Sequence, residues 1–233
     1  MNAAALEIRD LWLSRSSGEP LLRGVSLSVA AGERFGWISP EGFASNALVQ
    51  LLKGERLPDR GEIRSGGSLL SGADSIAGRI GWVSGRPVGF QNRLAVLENL
   101  LFHAFLKAPS PPAARQRAVA LLEQVGLAEA SGRPLHLLSQ GEILRLGIAR
   151  ALLGDPAILL LDGLPAGMDP WALRELFEWL GGFLDRSFGG TLLLRAHGTA
   201  EINRLCGRAV LLKGGSIVWE GKGADFRPEA LPA

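Results

Sequence analysis

The residues best placed to do chemistry lie between positions 34 and 54, RFGWISPEGFASNALVQLLKG. A short apolar run, 35–38, gives way to a Pro/Gly loop made of Ser39, Pro40, Glu41, Gly42, Phe43 and Ala44. The loop opens directly into a helical run, 46–53. Strand, glycine loop, helix is the layout that cradles phosphate, because unpaired backbone N–H groups and the positive end of the helix dipole converge there. The complete chemistry also needs a Lys to reach the phosphates and a following Ser or Thr for Mg²⁺. Ser45 and Asn46 stand in those two places. They have a second reading as helix caps, since the first N–H groups of a helix need acceptors. Glu41 brings a carboxylate to the same helix end. There it opposes a polyphosphate, answers the helix dipole, or is simply solvated.

The elements that must position this loop follow from periodicity. Residues 6–13 and 25–29 alternate as strands, with a polar turn at 14–20 between them. Run 34–38 is the strand feeding the loop. Lys53 and Gly54 stop the first helix. Short strands are expected at 62–64 and 80–83. From 87 to 137 the character is helical: Ser110 with Pro111 and Pro112 starts a helix, Ala118, Leu121, Leu122 and Val125 share its buried face, and Gly126 closes it. A helix is expected at 142–153, a doubly buried parallel strand at 157–161, and a helix at 170–184 with Leu173, Leu176, Phe177 and Leu180 inward. Strands at 191–194, 210–212 and 216–219 complete the order. This is an α/β core, about 1–86 and 138–233, with a helical subdomain inserted at about 87–137, all within one domain.

Composition bounds the function. The 233 residues are 47% apolar and 21% charged, enough for a core and too apolar for disorder. Net charge is +2 with the two signs interspersed, which argues against a nucleic-acid surface. The lone Cys206 excludes an internal disulfide and reads as a buried thiol. No apolar run reaches the roughly 18 residues of a membrane span. The first residues lack the basic and apolar regions of a secretory signal. A cytoplasmic protein is expected, peripheral at the inner face of the cell membrane through partners.

The run LLSQGEILRLGIARALLGDPAILLLDGLPAGMDP, 137–170, resembles the signature-helix and Walker B region of ABC-type ATPases, whose pattern is LSGGQ, ARALL, LLLDEP and a closing LDP. The upstream LLRGVSLSVAAGE, the strand IGWVSGRP at 80–87, VLENL at 96–100, TLLLRAH ending at His197, and LCGRAVLLKGGSIVWEG fall at the family's offsets. The resemblance covers almost the whole chain. It implies a P-loop NTPase-like ABC nucleotide-binding domain with a mostly parallel core sheet and an antiparallel β subdomain.

The resemblance also assigns roles. Ser39 and Ala44 stand where framing Gly residues are usual, Ser45 at the Lys and Asn46 at the metal-binding Ser/Thr. Losing a charge-assisted contact at a closed site costs about 2–5 kcal/mol, roughly 30-fold to several thousand-fold in affinity. A positive φ at Ala44 would add about 1–2 kcal/mol against the loop. Ser16 lies where an aromatic residue stacks on adenine, and Gly85 at the Q-loop glutamine. Gly163 follows Asp162 at the place of the catalytic glutamate. A general base contributes roughly 10²–10⁴ in rate, and glycine supplies none. Of the set acting on this chain's own nucleotide, Asp162 and His197 remain. Asp162 also reads as a structural strand-end carboxylate and His197 as an ordinary strand-end histidine.

The set that would serve a partner's nucleotide is better kept. Ser139 and Gly141 hold the signature at a helix N-terminus, Gln140 and Glu142 depart from it, and the D-loop Asp169 is present. Glu142 is the worse departure, with its charge directed to the phosphate region. The resemblance therefore implies a non-hydrolytic subunit that pairs with a catalytic ABC ATPase and a transmembrane ABC permease. Such a chain would bind no cofactor alone, with ATP and Mg at a site shared with its partner. An ordinary ATP-hydrolysing transporter subunit and a pseudo-ATPase scaffold are the alternatives.

Overall fold

The computed structural model describes residues 4–76, 78–86 and 88–227. Pro87, where the helical stretch is expected to open, lies outside the described residues. In chain order the elements are β1 (Ala4–Ser14), β2 (Pro20–Ala30), β3 (Arg34–Ile38), α1 (Phe43–Leu52), β4 (Arg60–Ser65), β5 (Ser68–Leu69) and α2 (Ala73–Ile76). Then come β6 (Ile80–Ser84), α3 (Val96–Ala104), α4 (Pro111–Gln124), α5 (Gln140–Ala151), β7 (Ile158–Asp162) and α6 (Pro170–Phe183). The chain ends with β8 (Thr191–Arg195), α7 (Thr199–Leu205), β9 (Arg208–Lys213) and β10 (Ser216–Lys222).

Two compact units emerge. The first comprises Met1–Ile80, Ala157–Gly163 and Gly190–Ala233; the second comprises Gly81–Pro156 and Leu164–Gly189.

The first unit holds two sheets. One is antiparallel, in the order β2-β1-β4-β5, with Leu6 opposite Val29 and Ile8 opposite Leu27. Alternate residues Leu6, Ile8, Leu11 and Leu13 are the buried face of β1, as its period-two pattern dictates. The other sheet runs β10-β9-β3-β8-β7, parallel except for the β9–β10 hairpin. Its central strands are continuous apolar runs: Ile158 to Leu161 are fully buried, as are Leu192 to Leu194. That is what a parallel strand covered on both faces requires. Strand β3, flanked by β8 and β9, delivers the chain to the loop at Ser39. Arg208 pins the start of this strand, with Glu33 accepting from its Nε at 2.7 Å and its guanidinium over the Phe35 ring.

In the second unit α3, α4 and α5 pack on one another. Ser110 caps α4, with Pro at its first turn, and Ala114, Ala118, Leu121 and Leu122 face inward. Buried Asn99 ties the segment before α3 in place, accepting from Gln91 N at 2.7 Å and donating to the carbonyls of Gln91, Leu94 and Ala95. On α6 the buried face is Leu176, Phe177, Leu180 and Phe183. Leu173 is only half-buried, so the stripe runs one turn further along the helix than its sequence suggests.

Two expectations at the loop need correction. Helix α1 begins at Phe43, three residues before the expected start, so Ala44 is helical and carries no left-handed strain. Ser45 and Asn46 do not cap it. The capping residue is Gly42, at φ 73°, and no side chain makes a cap hydrogen bond. With the helix begun at Phe43, both residues already lie inside its first turn, past the capping position.

Candidate functional site

The loop is a tight turn leading into α1. Gly42 N donates to Ser39 O at 3.1 Å, and Asn46 N donates to Gly42 O at 2.9 Å as the first helical bond. Only glycine adopts the left-handed conformation at position 42 without strain. Ala44 and Ser45 are buried, whereas Pro40, Glu41 and Asn46 are exposed. The Glu41 carboxylate accepts from Ser39 Oγ at 3.3 Å and from Gly214 N at 3.4 Å. It therefore links the loop to the β9–β10 turn rather than standing alone in solvent.

The C-terminal ends of β7 and β8 carry the other residues of this group. Asp162 and Arg195 face each other in register on the parallel pair β7–β8. Arg195 Nη1 donates to Asp162 Oδ1 at 2.8 Å, and both side chains are only about a sixth exposed. Gly163 N donates to Arg195 O at 3.0 Å, closing the strand end. Gly163 has φ +76°, and a β-carbon there would come within 2.5 Å of His197 Nε2. His197 N donates to Glu201 Oε2 at 2.8 Å. Partial desolvation, reinforced by the Arg195 charge and opposed by Asp162, holds the His197 imidazole below the ordinary histidine range.

The structure thus brings Ser39 to Asn46, Asp162, Gly163 and His197 into the first compact unit. Ser16 is in that unit too, in the exposed turn after β1, lining a shallow cavity with Arg15, Arg56 and Asp59. Gly85 falls in the second unit, in the bend after β6.

All residues of the signature group lie in the second unit. Ser139, Gln140, Gly141, Glu142 and Asp169 line one cavity of about 420 Å³ together with Arg145 and Glu175. Ser139 caps α5: Glu142 N donates to its Oγ at 3.2 Å, while Ser139 N donates to Glu142 Oε2 at 2.8 Å. This reciprocal capping box satisfies two open donors of the helix start. Arg133 Nη1 reaches Glu142 Oε1 at 3.0 Å. Burial works against the Glu142 charge, but the Ser139 bonds and Arg133 outweigh it and hold its pKa below the ordinary carboxylate value. The Glu142 carboxylate is therefore turned back onto its own helix start and neutralised, not directed outward as its sequence position suggests. Asp169 caps α6, accepting from Trp171 N and Ala172 N at 3.0 and 2.9 Å.

Two charged residues at these sites escape sequence reasoning, Arg195 and Arg133. A signal existed for the first. Arg195 is a charge closing an otherwise buried strand, and such a charge needs a partner. Among the described residues no cluster of three or more His, Cys, Asp or Glu is placed to hold a metal, and no helix is long and apolar enough to cross a membrane.

Comparison with known proteins places these features. The family model described as ABC transporter matches residues 22–164, more than half of the chain. A methionine import ATP-binding protein of Caulobacter vibrioides is 34% identical over 211 residues, 88% of this chain; the chain spans 62% of that protein's length. A phosphonates import ATP-binding protein of Rhodopseudomonas palustris is 32% identical, over 97% of this chain and 85% of that protein. The solved structure of cbiO1 from Clostridium perfringens, part of the ABC transporter complex cbiONQ, superposes with a TM-score of 0.86 at 23% identity, covering 96% of this chain and 90% of that one.

Proposed function

This chain belongs to the ABC transporter ATP-binding family and has the ABC nucleotide-binding fold, and from that premise we propose that it is a non-hydrolytic subunit. In this reading it pairs with a catalytic ABC ATPase and a transmembrane permease, and offers its signature segment to the partner's nucleotide. It docks through the surface near Gly85 and the helical stretch, at the inner face of the membrane.

The observation that carries the reading is the pairing of Asp162 with Arg195 beside a glycine whose β-carbon position is taken by His197. The donor set does not fit a magnesium nucleotide. The one carboxylate at the end of β7 is held by a guanidinium. The following position has no side chain, and Ser45 offers no charge to a phosphate. The signature side is better kept by contrast: Ser139 and Gly141 stand, the Ser139–Glu142 box is formed, and the Glu142 carboxylate is paired with Arg133. Its open helix end is available to an anion.

Affinity purification from the native cell, followed by turnover measurements on the purified complex, tests this. The reading expects a co-purifying ABC ATPase whose turnover falls at least tenfold when Ser139→Phe is introduced here. Ser139→Thr, which keeps the capping oxygen, should restore most of it. Unchanged turnover in S139F favours a scaffold that completes no site. The second reading, an ordinary ATP-hydrolysing subunit, draws on the relatives, whose names call them ATP-binding proteins of import systems. Turnover by this chain alone would favour it.

A further inference from the structure

The Asp162–Arg195 pair carries a consequence for metal chemistry. The two residues face each other across neighbouring parallel strands, 2.8 Å apart and mostly sheltered from water. A guanidinium cannot step aside by losing its proton, since it stays charged throughout the accessible pH range. Mg²⁺ gives up its hydration shell reluctantly and is usually bound through one or two carboxylates together with phosphate oxygens. Here the available carboxylate already has a fixed cation, and position 163 adds none. The backbone reinforces the arrangement, because Gly163 N donates to the carbonyl of Arg195 itself. Asp162 and Arg195 are thus locked together by both side chain and main chain.

We infer that Arg195 is a resident cation that holds Asp162 and keeps divalent ions off that carboxylate, so that anything the loop binds is bound metal-free. This rests on the proposed reading of the loop as a nucleotide-site relic. It nonetheless concerns the metal and not the turnover.

Equilibrium dialysis of the full chain against Mn²⁺, with and without a non-hydrolysable ATP analogue, measures it directly by mass spectrometry of retained metal. The wild-type chain should retain no more Mn²⁺ than Asp162→Asn in either condition. Arg195→Ala should gain Mn²⁺ when the analogue is present, because its phosphate oxygens supply the ligands that the Asp162 carboxylate alone lacks, and the R195A/D162N double variant should lose that gain. Arg195→Gln, which keeps length and polarity, repeats the test if R195A does not fold. Thermal melts check that the pair is formed: each single variant should lower Tm, and the double should lie no lower than the worse single. Mn²⁺ retained by the wild type and lost in D162N overturns the inference, as does the absence of any gain in both Arg195 variants. Wild-type retention without turnover would sink this inference and leave the non-hydrolytic reading standing. Turnover without Asp162-dependent metal would do the reverse.

Discussion

His197 Nε2 lies 2.5 Å from the point where a β-carbon at Gly163 would sit. A side chain at the position that follows Asp162 would therefore have to displace the His197 ring and would sit on a left-handed backbone. Restoring a carboxylate at position 163 demands two rearrangements at once. A residue with a β-carbon in that conformation costs about 1–2 kcal/mol, which for a domain of this size is a fall in Tm of about 2–8 °C. Gly163→Ala and Gly163→Glu should both show at least this loss in thermal melts, and G163E should gain no ATPase activity. A stable, active G163E would show that His197 moves freely.

The capping box at the start of α5 separates stability from charge. Ser139→Ala removes the oxygen that accepts from Glu142 N and should cost about 1 kcal/mol in denaturant unfolding. Glu142→Gln keeps the reach back to Ser139 N and loses only the partly exposed pair with Arg133, so it should cost less than about 1 kcal/mol. A larger loss for E142Q than for S139A would mean that Arg133, and not the cap, organises this helix end.

The fold was legible where one rule acted alone. Continuous apolar runs marked the buried parallel strands β7 and β8, and Ser110-Pro111-Pro112 marked the start of α4 almost to the residue. The loop was legible as a strand–turn–helix, but its helix start was not. Phe43 and Ala44 carry no start signal, and Gly42 caps through its conformation, not through a side chain. The need of Arg195 for a partner could be read, but which residue pairs with it could not. Arg195 meets Asp162 across 33 residues of chain, and only the register of two parallel strands sets that contact. The orientation of Glu142 had a signal that went unread: Ser139 and Glu142 have the Ser-x-x-Glu spacing of a capping box, which turns the carboxylate back toward Ser139 and Arg133.

His197 should contribute a pH dependence of defined sign. Its folded pKa is lowered by partial desolvation and by Arg195, so it resists protonation more than the unfolded chain does. Stability from this group is complete above the ordinary histidine value. It is lost as pH falls through that value, where the unfolded state takes up the proton first. The fall in Tm between pH 7.5 and pH 5.5 should be shallower in His197→Gln than in the wild type. An unchanged slope would place the acid sensitivity elsewhere.

Cys206 provides a reporter of opening. Burial, aided by the negative charge of Glu201, pushes its thiol up to about 12. The thiolate that reacts is therefore scarce at neutral pH. Native protein should resist a disulfide reagent at pH 8 and react fully once denatured. Rapid labelling of the native chain would show that the contact of α7 with β3 opens readily.

The central claim is that this chain does not turn over ATP by itself. Titrating the purified chain with ATP and Mg²⁺, while following both bound nucleotide and released phosphate, tests it most directly. The account predicts no phosphate release above the protein-free background and no binding in the micromolar range. Micromolar binding or measurable turnover by the chain alone would contradict it.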